Sequence, residues 1–147
     1  MADHYVKQQV GVADGTKSPP DRADGREVHA HVRKTLGSKV PGTAWASGDR
    51  IYLGTMAPGR KLTSIKLCTD TSLGTATIDI GDGTTADKFV DGATLTATNT
   101  PTELPIKAST LDDDPSEGET VLWATVGVAA IAAGTLLTFQ IETVGIN

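Results

Sequence analysis

Along residues 75–80 the side chains alternate. Ala76, Ile78 and Ile80 fall on one side, Thr75, Thr77 and Asp79 on the other. A period of two marks a half-buried strand, because successive side chains on a pleated backbone point to opposite faces. The closing segment 135–144 repeats the pattern, with Leu137, Phe139, Ile141 and Thr143 on one face. Alternation also predicts a strand over residues 27–33, where Val28, Ala30 and Val32 share one face and His29, His31 and Arg33 the other. Further strands are predicted over residues 50–55, 62–69 and 120–126, with less regular patterns over 89–97 and 104–108. Residues 37–49 read as a loop in which Trp45 is a packing anchor. The alanine-rich run 126–134 has no polar face and is bracketed by glycines, so it predicts a tight connection between antiparallel strands rather than a helix. A short helical turn fits residues 86–91, with Thr84 or Thr85 as its cap.

About eight short strands separated by turn residues predict an all-β protein, an antiparallel β-sandwich or jelly roll. The composition agrees. Threonine is the commonest residue, and Thr, Val and Ile suit half-buried pleated surfaces. Sixteen glycines and seven prolines suit many tight turns. At 147 residues the chain fits one domain, with residues 27–147 as its body. Residues 1–26 contain "GVADGTKSPPDRADG", with little to bury, and are predicted to be an extended N-terminal arm. Only 4% of the chain is aromatic, so part of its stability is expected to come from association.

Candidate chemistry is sparse. The run "DIGDGTTAD", residues 79–87, is a possible ion or phosphate site, but it lacks the alternating oxygen ligands and distant glutamate of a calcium loop. No long helix follows it, as a dinucleotide site would need. Asp82-Gly83 after an alternating strand predicts a turn instead. The acidic run "LDDDPSEGE", residues 111–119, reads as a solvated loop, or as a contact with a basic patch on a neighbouring subunit. His29 and His31 share a strand face, as in a cupin metal site, but Lys34 and Thr35 stand where the following ligand would be. They read as polar residues on the exposed face of an edge strand. Cys68, the only cysteine, reads as a buried strand thiol. No serine has a local partner histidine and there is no Gly-x-Ser-x-Gly elbow. The expectation is a protein that is not an enzyme and takes no metal or cofactor.

Charge adds an asymmetry. Residues 1–66 hold 11 Lys/Arg against 6 Asp/Glu, and residues 67–147 hold 2 against 12. Opposed halves can orient a molecule against its neighbours. The acidic balance argues against nucleic acid as a partner. No apolar run reaches the roughly 20 residues that span a bilayer, and the N-terminus lacks the pattern of a secretory signal. The expectation is a soluble protein, no membrane partner, and synthesis in a reducing cytoplasm.

Residues 73–99, "LGTATIDIGDGTTADKFVDGATLTATN", and the segment 119–147 together resemble the capsid decoration, or cement, proteins of tailed bacteriophages. The shared features are a strand ending in a Gly-Asp-Gly turn, the "ADKFVDG" linker, and Ala-Gly-Thr-Leu, residues 133–136, before an alternating last strand, over about residues 62–147. The resemblance implies a structural virion protein with a jelly-roll body. It also implies a homotrimer on the outer surface of the head, at threefold or quasi-threefold positions, stabilising the major capsid protein lattice. The resemblance carries over no fixed site residues. The arm and the basic front half are the expected contact region, with Pro19, Pro20, Arg22, Arg26, Arg33 and Lys34 as candidate contacts to the major capsid protein or a neighbouring copy. The alternative is a virion spike or fibre module that binds host carbohydrate. A cupin-like metalloenzyme would rest on His29 and His31 alone.

Overall fold

A computed structural model describes residues 31–145. Their elements are β1 (His31–Lys39), β2 (Arg50–Met56), β3 (Arg60–Thr69), β4 (Thr77–Gly81), β5 (Val90–Thr94), β6 (Thr102–Glu103), α1 (Ala108–Asp112), β7 (Thr120–Gly127) and β8 (Leu137–Gly145). The strands form two four-stranded sheets, ordered β1-β8-β3-β6 and β2-β7-β4-β5, and every pairing is antiparallel. First pairs with last, second with seventh, third with sixth and fourth with fifth. This is one long hairpin rolled into a sandwich, the jelly-roll arrangement of two Greek keys. No helix among the described residues is long and apolar enough to cross a membrane.

Alternation explains the core. Leu137, Phe139 and Ile141 of β8 stand opposite Thr69, Leu67 and Ile65 of β3 in the register, and all point inward. Ile78 and Ile80 of β4 and Leu122, Ala124 and Val126 of β7 face them from the second sheet. Each fully buried Ile or Leu stabilises the fold by roughly 1.5–3 kcal/mol, so this layer holds the two sheets together. Trp45 packs on the core from its loop and pairs with Ile131, as its anchor role predicts.

Four loops gather at one end: 40–49, 70–76, 95–101 and 128–136. Backbone bonds stitch them together, Gly134 N–H to Pro41 O, Asn99 N–H to Thr69 O, and Leu73 N–H to Leu95 O. The opposite end carries the 82–89 turn and the acidic 111–119 run.

Several expectations are corrected. The 104–108 segment is not a strand. Pro105 lies within it and cannot donate to a ladder, and pairing here is limited to β6, just before it, and one bridge between Val90 and Ile106. Helix α1 starts at Ala108 instead. Residues 86–91 are not helical, because Phe89 N–H donates to Ile80 O and draws the chain directly into β5. β1 continues through Gly37–Lys39, which had read as loop. Cys68 is half-buried and lies on the outer face of β3, opposite Thr138. Residues 27–30, including His29, and the arm 1–26 lie outside the described residues.

Candidate interaction surface

β1 is an edge strand, and all nine of its residues are exposed. Its register against β8 sets its two faces. Arg33, Thr35, Gly37 and Lys39 stand opposite Thr143, Ile141, Phe139 and Leu137, the inward set. Val32, Lys34, Leu36 and Ser38 therefore share the outer face of the sheet with Val144, Glu142, Gln140 and Thr138. This reverses the predicted polarity, in which Val32 faced the core. Val32 is 58% exposed and Leu36 72%. The pattern inverts because β1 overhangs the core, so its inward side meets a cleft rather than the opposite sheet.

Among the described residues, the sandwich is unclosed along this side. One cleft of about 70 Å³ lies between Arg33 and Thr35 of β1 and Leu53, Gly54 and Thr55 of β2, with Ile141 on its wall. A second, of about 110 Å³, lies between Gly37, Ser38 and Lys39 and Ile51, Tyr52 and Leu53, floored by Phe139 and Ile141. The opposite side is closed by the Val90–Ile106 bridge. Arg60, buried beside the first cleft, donates through Nε to Thr143 Oγ1 at 2.9 Å, and through one terminal nitrogen to Thr143 O at 2.9 Å and His31 O at 3.0 Å. Burial, and then the like charge of Arg33, lower its pKa.

The predicted contact residues separate here. Pro19, Pro20, Arg22 and Arg26 lie outside the described residues. Arg33 and Lys34 are adjacent on β1 and so point to opposite faces. Arg33 rims the cleft, while Lys34 pairs with Glu142 at 3.4 Å on the outer face. Such an exposed pair contributes at most about 1 kcal/mol.

The acid-rich turn is a structural device. The Asp82 carboxylate accepts from the backbone N–H groups of Thr84 and Thr85 at 2.8 and 2.7 Å and from Lys88 Nζ at 2.9 Å. Burial would raise its pKa, but the Thr85 N–H, Lys88 and the Thr84 N–H together lower it. Asp79 Oδ1 accepts from Gly92 N–H at 2.6 Å, across the irregular β4–β5 pairing. Among the described residues, no three His, Cys, Asp or Glu gather as a metal site would need. Asp113 and Asp114 line a cavity of about 300 Å³ together with Arg60, Lys61 and Lys88, so the acidic run faces cations of its own chain.

A second exposed feature was missed in the sequence. Tyr52 and Trp123, facing each other on β2 and β7, lie on the outer side of the second sheet, and the Arg50 guanidinium sits 4.9 Å from the Trp123 ring centre. Tyr52 is 56% exposed, and its hydroxyl is 2.8 Å from Thr55 Oγ1. The signal was parity. Leu122, Ala124 and Val126 are the inward set of β7, which leaves Trp123 outside.

No family model matches the sequence, and no curated protein matches it. Solved structures do. The chain superimposes on a chain from the capsid of Ralstonia phage GP4 with a TM-score of 0.65 at 18% identity, covering 80% of this chain and 86% of that one. It superimposes on a chain of the cyanophage Pam1 capsid asymmetric unit with a TM-score of 0.64 at 17% identity, covering 91% and 99%. The likeness is one of fold.

Proposed function

We propose that this chain is a structural virion protein of a bacteriophage, a decoration or cement protein without enzymatic activity. It would be made in the host cytoplasm and bind the outer surface of the head at threefold or quasi-threefold positions. As a homotrimer it would stabilise the lattice of the major capsid protein, using no cofactor, nucleic acid or membrane. The observation that carries the reading is the two-sided coverage by the Pam1 capsid chain. Nearly all of that chain is this same sandwich, so the match is not to a module buried in a larger protein. The unclosed β1–β2 side supports the reading, since long exposed edges invite pairing unless something covers them. The arm, residues 1–26, is assigned to the major capsid protein or a neighbouring copy. The test is co-sedimentation with heads lacking the protein. The full chain should bind, and a chain without residues 2–26 should stay folded and lose binding. Failure of the full chain to bind would overturn the reading.

One observation favours the second reading, a spike or fibre module for host carbohydrate. Sugar sites pair an exposed aromatic ring with polar groups, and Tyr52, exposed and packed edge-on against the half-buried Trp123, stands beside Arg50 and Thr55. Glycan-array binding that Tyr52→Ala abolishes would support this reading over the first.

A further inference from the structure

The two sheets have four edge strands, and three of them are blunted. β6 is two residues long, β5 pairs irregularly with β4, and β2 slips register against β7 between Tyr52 and Gly54. Short edges and bulges protect a sheet against stray strand pairing. β1 has neither. It runs nine residues without a proline and holds an unbroken register with β8 from His31 to Lys39. Its guards are the charges of Arg33, Lys34 and Lys39, and Lys34 is taken up by Glu142. Among the described residues β1 pairs on one side alone, so a regular ladder edge stands open to a further strand.

The clefts behind that edge specify the strand. At about 70 and 110 Å³ they are far below the roughly 300–1,000 Å³ of a ligand pocket. Leu53 and Ile141 wall both, and Phe139 floors the second. They fit single apolar side chains delivered at every second position. Gly37 faces the second cleft, and a Cβ placed on it meets nothing within 4 Å, so an incoming chain has room there. A second β1 does not suit this edge. It would bring Arg33 and Lys39 of both copies to one cleft, and like charges across a ladder destabilise. Residues 6–14, outside the described residues, carry the required pattern. Val6, Gln8, Val10 and Val12 alternate with Lys7, Gln9 and Gly11, and Asp14 continues the first set. In an antiparallel register with Val10 opposite Gly37, Val12 meets Thr35 and Asp14 meets Arg33. Valines then fall on the clefts and the acid on the cation.

We propose that residues 6–14 of one copy add as an antiparallel strand to the free edge of β1 in a neighbouring copy, with Val10 and Val12 seated in the β1–β2 clefts. The linker decides between copies. Sixteen residues, 15–30, separate Asp14 from β1, and Pro19-Pro20 favour extended backbone, which at roughly 3.1 Å per residue spans about 50 Å. β1 itself is only about 30 Å long. Returning to its own edge would need a structureless loop longer than the usual limit of about 12–15 residues. Crossing to another copy uses the linker as an extended arm. Each copy then gives one arm and receives one, a head-to-tail contact that closes into a ring when the rotation per copy allows. The inference rests on the self-association in the function proposed above and chooses between the two destinations given there for the arm.

The test is disulfide trapping in the full chain, with Cys68→Ser removing the native thiol. Val10→Cys with Gly37→Cys, treated with an added oxidant, should link copies to one another and give bands at multiples of 15.2 kDa on a non-reducing gel. A crosslink confined to one copy overturns the exchange between copies, and no crosslink overturns the seat itself. Linking by Gly37→Cys alone would assign the edge to a second β1, and linking to the capsid protein only on heads would assign it to that partner. Either result overturns the proposal. Two further variants do not depend on new cysteines. Deleting residues 2–14 should bring the solution mass down to one copy and speed hydrogen exchange of the β1 amides at least tenfold, while β4 and β7 keep their protection. Val10→Asp with Val12→Asp should do the same, because an apolar cleft disfavours a carboxylate. Unchanged mass and exchange in either variant overturns the proposal. Head co-sedimentation, run in parallel, separates the two readings. A chain that binds heads but links no copies sinks this seat and leaves the capsid role standing, whereas linked copies that ignore heads do the opposite.

Discussion

Tyr52 and Trp123 stand opposite each other across β2 and β7, their ring centres 5.3 Å apart and their planes at 69°, on the solvent side of the second sheet. An edge-to-face pair adds about 0.5–1.5 kcal/mol beyond the area it buries. A urea-denaturation cycle of Tyr52→Ala, Trp123→Ala and the double variant should return a coupling energy in that range. Arg50→Ala should cost about 0.5–1 kcal/mol, the usual worth of an exposed cation over an indole. A coupling of zero would mean the rings do not stabilise the sheet, and would strengthen the carbohydrate reading of this patch.

Ile78 and Leu36 make the opposite comparison, both apolar and both in strands. Ile78 is 0% exposed at the centre of β4, and Leu36 is 72% exposed on β1. Ile78→Ala should destabilise by about 2–5 kcal/mol, the sum of lost transfer energy and a residual cavity. Leu36→Ala should move the stability of the single chain by no more than about 0.5 kcal/mol. Equal losses in chemical denaturation at low protein concentration would contradict the placement of β1 beyond the core.

Asp82 ties the 82–89 turn to pH. Its folded pKa lies below the unfolded value of about 3.9. Its stabilisation is therefore complete above the unfolded value and is lost as pH falls through the lower folded one. Asp87, lowered chiefly by its hydrogen bond from Lys107, acts in the same direction. Asp82→Asn keeps the shape but loses the charge. The variant should be less stable than wild type at neutral pH, and the gap should shrink in urea titrations carried down to about pH 3. A gap independent of pH would show that the carboxylate charge does not hold this turn.

Val128 holds a backbone conformation unusual for its type. Its φ is +62°, and the Ala129 N–H donates to Gly127 O across it at 2.7 Å, closing a three-residue turn. For a β-branched residue this geometry is strained, and Val128 is 77% exposed, so little packing is lost on truncation. Val128→Gly should raise the thermal midpoint, with the strain relieved exceeding the roughly 0.4–1 kcal/mol of added unfolded-state freedom. A lowered midpoint would show that the side chain has a packing role here.

Gly81 limits the same region from within. A Cβ there would collide with the carbonyl oxygens of Thr85 and Ala86. Gly81→Ala should cost about 1–3 kcal/mol or more, because backbone and not a flexible side chain must move. Calorimetry on the variant checks this, and a neutral result would mean the turn can open without loss.

Much of the sandwich was legible in the chain itself. The inward faces of β4, β7 and β8 follow from strict alternation, and Asp82-Gly83 marked its turn, because side-chain period and turn chemistry are local properties. Three features were not legible. A period of two divides β1 into two faces but does not say which one is covered, so Val32 was assigned to a core that β1 does not reach. It left Tyr52 and Trp123 unplaced until the inward set of β7 was known. It also could not distinguish 104–108, with β potential but little donor capacity, from the helix that starts at Ala108. The sequence by itself determined that the chain makes antiparallel strands, and where several of them turn. Only the tertiary structure decided that β1 is an edge of the described sheet, that its side of the sandwich stays open among the described residues, and that Arg33 and Lys34 part to opposite faces. Those properties depend on which strands end up adjacent, and adjacency is set by contacts between residues distant in the chain.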